Sequence, residues 1–165
     1  MKRNKYIILG HMRSGKDSVA EILFEIYGIT YSSSSDVSNR IFLFDILKKK
    51  YGYKTLEECF EDRVDHRDEW FKLICDYNSF DKTRLAKDIT KDFDMYVGMR
   101  DLEEFQACVD IKLFDLIIWV DASERIKSEN ESFMGITKSM ADIIIDNNGT
   151  YEEFKERVIR FGKFL

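Results

Sequence analysis

Near its N-terminus the chain runs Lys5-Tyr6-Ile7-Ile8-Leu9 into Gly10-His11-Met12-Arg13-Ser14-Gly15-Lys16, an apolar run closed by the pattern G-x-x-x-x-G-K. The apolar run reads as a strand covered on both faces, which means the inside of a parallel sheet. After the lysine, Val19-Ala20, Ile22-Leu23-Phe24 and Ile26-Tyr27 recur at helical spacing, and Gly28 stands where a helix would end. Strand, glycine loop and helix in this order give the pattern a physical meaning. The glycines let main-chain N–H groups turn inward toward phosphate oxygens, and the helix N-terminus adds partial positive charge. Lys16 reaches the outer phosphates. Gly10, Arg13, Ser14, Gly15, Lys16, Asp17 and Ser18 are therefore the expected ATP-binding residues. The competing reading, an ordinary strand-to-helix turn, leaves the flanking pattern on both sides unexplained.

One position is unusual. Asp17 follows Lys16 where a hydroxyl residue commonly ligates magnesium, and Ser18 comes next. Hard oxygen donors suit Mg2+, so Asp17 and Ser18 are the candidate metal ligands. A carboxylate in the first turn also favours the helix dipole, and the sequence leaves both roles open.

With 165 residues, 44% of them hydrophobic, the chain fits one domain, residues 1–165, with a sizeable core. Its net charge of −5 supplies no general basic field for nucleic acid. Cys59, Cys75 and Cys108 are widely spaced and odd in number, as reduced thiols of a cytoplasmic protein would be. Two histidines, His11 and His66, make a histidine-based metal centre implausible, and His11 is assigned no catalytic role. No apolar run reaches membrane-spanning length, and residues 1–5 lead straight into the first strand, so neither a membrane segment nor a signal peptide is expected.

Further strands are expected at residues 29–31, 93–98, 114–121 and 141–146, with helices over 36–92, 101–112 and 150–165. The four serines at 32–35 read as a loop ending in a helix cap. Tyr6 and Trp119 read as core. Alternating strands and helices imply a parallel sheet whose ligands lie beyond the carboxyl ends of the strands. That rim collects residues 10–18, 32–36, 98–100 and 121–127.

On these residues the chain resembles the P-loop kinases, and more specifically the deoxynucleoside monophosphate kinases of bacteriophages. Gly10-His-Met-Arg-Ser-Gly-Lys-Asp-Ser18 is similar to that family's G-x-x-x-S-G-K-D-T. Asp36 resembles the acidic residue that enters its substrate-binding helices. Gly98-Met-Arg100-Asp-Leu-Glu-Glu104 is similar to D-V-R-x-x-x-E, and residues 141–154 look like the closing strand and turn beside the adenine. The resemblance implies an α/β, three-layer P-loop NTPase fold of the nucleoside monophosphate kinase type. Its five-stranded parallel sheet would carry helices on both faces, a helical acceptor-binding subregion over 36–92 and a short lid over 122–139.

It also implies an ATP- and Mg2+-dependent phosphotransferase acting on a deoxynucleoside monophosphate. Lys16, Arg100, Asp36 and Arg125 would be catalytic, and Asp36, Arg63, Arg67, Trp70 and Arg100 would bind the acceptor. Arg63, Arg67 and Trp70 share a helix face by spacing, so a base could stack on Trp70 or Phe71 while an arginine holds its phosphate; a core role for Trp70 fits the spacing slightly better. Arg100 either meets phosphate or pairs with Glu103 or Glu104, and Asp36 either meets the acceptor or caps a helix. Two departures from the family stand out: Gly98 replaces an aspartate, and the lid carries only Arg125, Lys127 and Lys138 as cations. The rival readings are a kinase for a modified base in phage DNA, which alone would bring nucleic acid in as a partner, a small-metabolite kinase, and a nucleotide-binding protein without catalysis. An exposed apolar patch on the 36–92 helices would allow a homodimer.

Overall fold

The computed structural model describes residues 3–126 and 135–165. Five parallel strands build one sheet: β1 (Tyr6–Leu9), β2 (Tyr31–Ser33), β3 (Met95–Val97), β4 (Leu116–Asp121) and β5 (Ile143–Asp146). Their order is β2-β3-β1-β4-β5, with Ile8 beside Val97 and Ile118. β1 is central, so the loop that leaves it opens at the middle of the carboxyl rim.

Side chains alternate across the central strand, and each set has its own core. Tyr6 and Ile8 pack with Val19, Leu23, Phe154 and Val158, from α1 (Lys16–Tyr27) and α8 (Tyr151–Gly162). Ile7 and Leu9 pack on the other face with Val37, Leu85, Ile89, Phe105 and Cys108. These come from α2 (Ser34–Ser38), α6 (Arg84–Asp92) and α7 (Leu102–Asp110). Helices on both faces of the sheet make three layers, as the unbroken apolar runs of β1 and β4 require.

Between β2 and β3 the chain is helical. α2 continues through one π-helical turn, Asn39–Leu43, into α3 (Phe44–Tyr51); α4 (Leu56–Asp62), a 3-10 turn Arg63–Asp65 and α5 (Arg67–Tyr77) then precede α6. A small separate core of Leu43, Leu47, Cys59 and Trp70 holds α3, α4 and α5 together. α4 starts with a capping box between Thr55 and Glu58, and α8 with one between Thr150 and Glu153.

Several boundaries differ from the sequence reading, and each of the strands after β1 begins two residues later than expected. Ser32 and Ser33 belong to β2, and Ser33 rather than Asp36 caps α2, its hydroxyl accepting from the Asp36 amide at 3.1 Å. α7 and α8 each stop short of the expected end. Serine has little strand preference, but parallel pairing of Ser32 with Tyr96 and of Ser33 with Val97 overrides it. The lid expected over 122–139 includes residues 127–134, Lys127 among them, which lie outside the described residues; the described part ends in a 3-10 turn, Lys138–Met140. Among the described residues no helix is long and apolar enough to cross a membrane.

Candidate active site

The loop between β1 and α1 has the backbone of an anion cradle. Gly10 and Gly15 have φ of 146° and 100°, and Arg13 also sits at positive φ, 63°. Gly15 is the N-cap of α1 and no side chain caps that helix, so its first N–H groups face the loop without a side-chain acceptor. Lys16 folds back over the loop, its Nζ donating to the carbonyls of Gly10 at 2.8 Å and His11 at 2.7 Å. The buried Ser14 hydroxyl has no hydrogen-bond partner among the described residues. These are features that a bound phosphate would complete.

β5 supports the loop from beneath. Asn147 donates from Nδ2 to the Ser14 carbonyl at 2.8 Å, and a Cβ on Gly15 would stand 2.6 Å from that same nitrogen. The sequence reading took Asn147 only as a turn residue. Its place one residue beyond an apolar strand, level with the loop, was the signal available. His11 is turned away from the cradle, packed edge-on against Trp119 with ring centroids 5.4 Å apart.

The helical subregion reaches the loop through its arginines. Arg67 donates from Nη1 to the Met12 sulfur at 3.1 Å. Arg63 donates to the Phe60 carbonyl at 2.9 Å, with its guanidinium 3.9 Å from the centroid of the Phe60 ring. Burial, and then the like charge of Arg67, hold the Arg63 pKa below its ordinary value, while Asp17 acts the other way. Arg63, Arg67 and Asp17 are therefore electrostatic neighbours. Among the described residues neither arginine has a carboxylate within ion-pair distance.

Trp70 does not join them at the surface. It is 4% exposed and packs in the core of the subregion, 6.3 Å from Phe60 between ring centroids. The expected stacking of a base on Trp70 is corrected: a buried indole offers no face. The exposed aromatic of α5 is Phe71.

At the end of β3, Gly98 has φ 91°, a left-handed conformation that an aspartate would adopt only under strain. Arg100 follows, half-buried, with no ion pair among the described residues. Both partners weighed for it are otherwise engaged. Glu103 pairs with Lys82 at 2.7 Å, while Glu104 is buried and accepts from the Tyr96 hydroxyl at 3.2 Å. Burial lifts the Glu104 carboxyl to about 8 against the lowering effect of that hydrogen bond.

Asp36 accepts from the Ser32 hydroxyl at 2.8 Å and from Arg40, one turn further on, and it stays half-exposed. Across the sheet, Asp121 accepts from Lys138 at 2.9 Å and from the Ser123 amide at 3.1 Å. Burial raises the Asp121 pKa, but these donors outweigh it and hold the carboxyl below the usual range. Arg125 donates from Nε to the Asn147 carbonyl at 2.5 Å. Two of the three cations in the segment expected to form a lid are thus bound to the rim itself. Elsewhere, Tyr51, Tyr53, Glu58 and Asp62 line an open hollow to which no phosphate-loop residue contributes.

Asp17 and Ser18 offer a carboxylate and a hydroxyl in the first turn of α1, a donor set suited to Mg2+. Among the described residues no cluster of three or more histidines, cysteines or carboxylates stands ready to hold a metal. A magnesium ion here would take its remaining ligands from phosphate oxygens and water, as that ion commonly does.

No family model and no curated protein sequence matches the chain. Solved structures do. Dephospho-CoA kinase from Campylobacter jejuni aligns over 98% of this chain and 96% of its own, with a TM-score of 0.52 and 15% identity. TT1252 from Thermus thermophilus aligns over 97% and 96%, with a TM-score of 0.52 and 16% identity. Shikimate kinase from Aquifex aeolicus aligns over 97% and 96%, with a TM-score of 0.46 and 16% identity. At such identities the likeness to the first two establishes the fold alone, and the chain has the P-loop kinase fold.

Proposed function

We propose that this chain is an ATP-dependent kinase that transfers the γ-phosphoryl group to a deoxynucleoside monophosphate. The observation that carries the reading is the phosphate loop itself, with Lys16 folded over it and Arg63 and Arg67 beside it, neither in an ion pair among the described residues. Arginines without an ion pair among the described residues, at the mouth of an anion cradle, suit two phosphorylated ligands, one in the loop and one facing it.

Each residue then has a task. Loop amides and Lys16 hold the β- and γ-phosphates, and Asp17 and Ser18 hold the metal. Magnesium, when bound, neutralises charge on the β- and γ-oxygens. Arg100 and Arg63 grip the acceptor phosphate, whose attacking oxygen is already anionic near neutral pH and needs no general base. Asp36 holds an acceptor hydroxyl through the carboxylate oxygen that Ser32 and Arg40 leave open. Arg125, tied to the Asn147 carbonyl, lines the nucleoside end of the donor site. Positioning and cationic stabilisation supply nearly all the catalysis that phosphoryl transfer requires.

A second reading draws on the likeness to dephospho-CoA kinase: the acceptor is a phosphorylated small metabolite. Transfer of label from γ-labelled ATP to a panel of ribo- and deoxynucleoside monophosphates tests the first reading. A labelled deoxynucleoside diphosphate supports it. Label appearing only on dephospho-CoA or a related metabolite overturns it in favour of the second.

A further inference from the structure

Phosphoryl transfer needs a cation at the equatorial oxygens of the moving group, and a mobile lid is the obvious place for it. Here the described lid cations are engaged elsewhere: Lys138 with Asp121 at 2.9 Å and Arg125 with the Asn147 carbonyl at 2.5 Å. Arg67 is in the opposite situation. Its guanidinium rests on the Met12 sulfur, a weak acceptor, at the tip of the phosphate loop. Arg63 beside it is anchored to the Phe60 ring and carbonyl and repels it. A guanidinium parked on a thioether next to a like charge gains most from an arriving anion.

We propose that Arg67 is a catalytic residue that bonds the transferring phosphoryl group, so that the helical subregion supplies a transition-state cation. This rests on the kinase reading above and places Arg67, expected from the sequence at the acceptor, at the reacting group instead. In the step, an anionic acceptor oxygen forms a bond to the γ-phosphorus while the bond from that phosphorus to the β,γ-bridging oxygen breaks. The bridging electron pair leaves with ADP. Negative charge gathers on the oxygens between, and Arg67 donates to them from the Met12 side while Lys16 donates from the loop.

The test is run with each of the four deoxynucleoside monophosphates present in turn, because the mimic needs an acceptor oxygen opposite ADP. Binding of Mg-ADP is measured with and without aluminium fluoride, which mimics the phosphoryl group in transit. Wild type, Arg67→Ala and Lys16→Ala are compared, with melting temperatures to confirm that each folds. Wild type should bind ADP at least about 100-fold tighter with the fluoride, as transition-state mimics do. Arg67→Ala should keep ADP affinity within about threefold of wild type and lose most of that tightening, and added guanidinium should restore it. Equal tightening in wild type and Arg67→Ala overturns the inference and leaves the kinase reading standing. No tightening in wild type overturns both.

Discussion

Asn147 donates its side-chain amide to the main-chain carbonyl of Ser14 at 2.8 Å, joining the last strand of the sheet to the phosphate loop of the first. Both groups are buried, so the bond is the loop's anchor to β5 and replaces water that cannot reach it. Leaving the Ser14 carbonyl without a donor costs about 1–3 kcal/mol. Asn147→Ala should therefore weaken Mg-ATP binding by about tenfold, which corresponds to roughly 1.4 kcal/mol. Gly15→Ala should do at least as much, since its Cβ would meet Nδ2 at 2.6 Å in a backbone of φ 100°. Titration calorimetry checks both, and unchanged affinity in either would contradict this view of the loop.

Trp70 distinguishes a core residue from a stacking platform. Replacing it with Ala should destabilise the protein by about 3–5 kcal/mol, the usual cost of truncating a buried tryptophan. Trp70→Phe keeps much of the packing volume among Leu43, Leu47 and Cys59. It should lower Tm modestly and leave the acceptor KM within about twofold. A large rise in KM without loss of stability would return Trp70 to the substrate.

Glu104 predicts a pH dependence of stability. Its folded pKa, lifted to about 8 by burial, lies above the ordinary 4.5 of an unfolded glutamate. A group with a raised folded pKa stabilises fully below its unfolded value and loses that contribution as pH rises through the folded one. Stability should therefore decline from about pH 4.5 to pH 8. Glu104→Gln, which can still accept from the Tyr96 hydroxyl, should flatten this decline. Urea unfolding at pH 5.5 and pH 8.5 decides it; parallel declines in the two proteins would assign the effect to other groups.

Much of the architecture was legible because its signals are local. The apolar runs of β1, β4 and β5, the glycine loop, the Gly28 cap and the Thr150 cap are each set by a few adjacent residues. β2 was harder, since Ser32 and Ser33 become strand only by pairing with β3. In the site, the loop residues could be read from spacing alone. Contacts across long sequence separation could not: Arg67 with Met12, Asn147 with Ser14 and Lys138 with Asp121 depend on how the elements pack. Spacing on one expected helix placed Arg63, Arg67 and Trp70 on a shared face, but the helix breaks at His66 between the 3-10 turn of Arg63 and α5, and spacing could not tell which residue would meet solvent and which the core.

Gly98 bears on whether a carboxylate is missing from the site. At φ 91° its Cβ would enter open space, so an aspartate there meets strain and no clash. Gly98→Asp should cost about 1–2 kcal/mol of stability, the price of a left-handed conformation for a residue with a side chain, and should not raise kcat. Denaturant unfolding together with steady-state rates checks both halves. A variant that turns over faster than wild type would mean that the loop lacks a metal-orienting carboxylate after all.

The central claim is that Lys16 and the loop around it hold ATP for transfer to a deoxynucleoside monophosphate, and ADP release from Mg-ATP measures it most directly. The assay compares wild type with Lys16→Ala across the four deoxynucleoside monophosphates. The account predicts acceptor-dependent release by wild type with at least one of them, reduced by about 100-fold or more in Lys16→Ala, as befits the loss of a cation that stabilises the transferring group. ATP binding by wild type without turnover on any acceptor, or turnover that survives loss of Lys16, would contradict it.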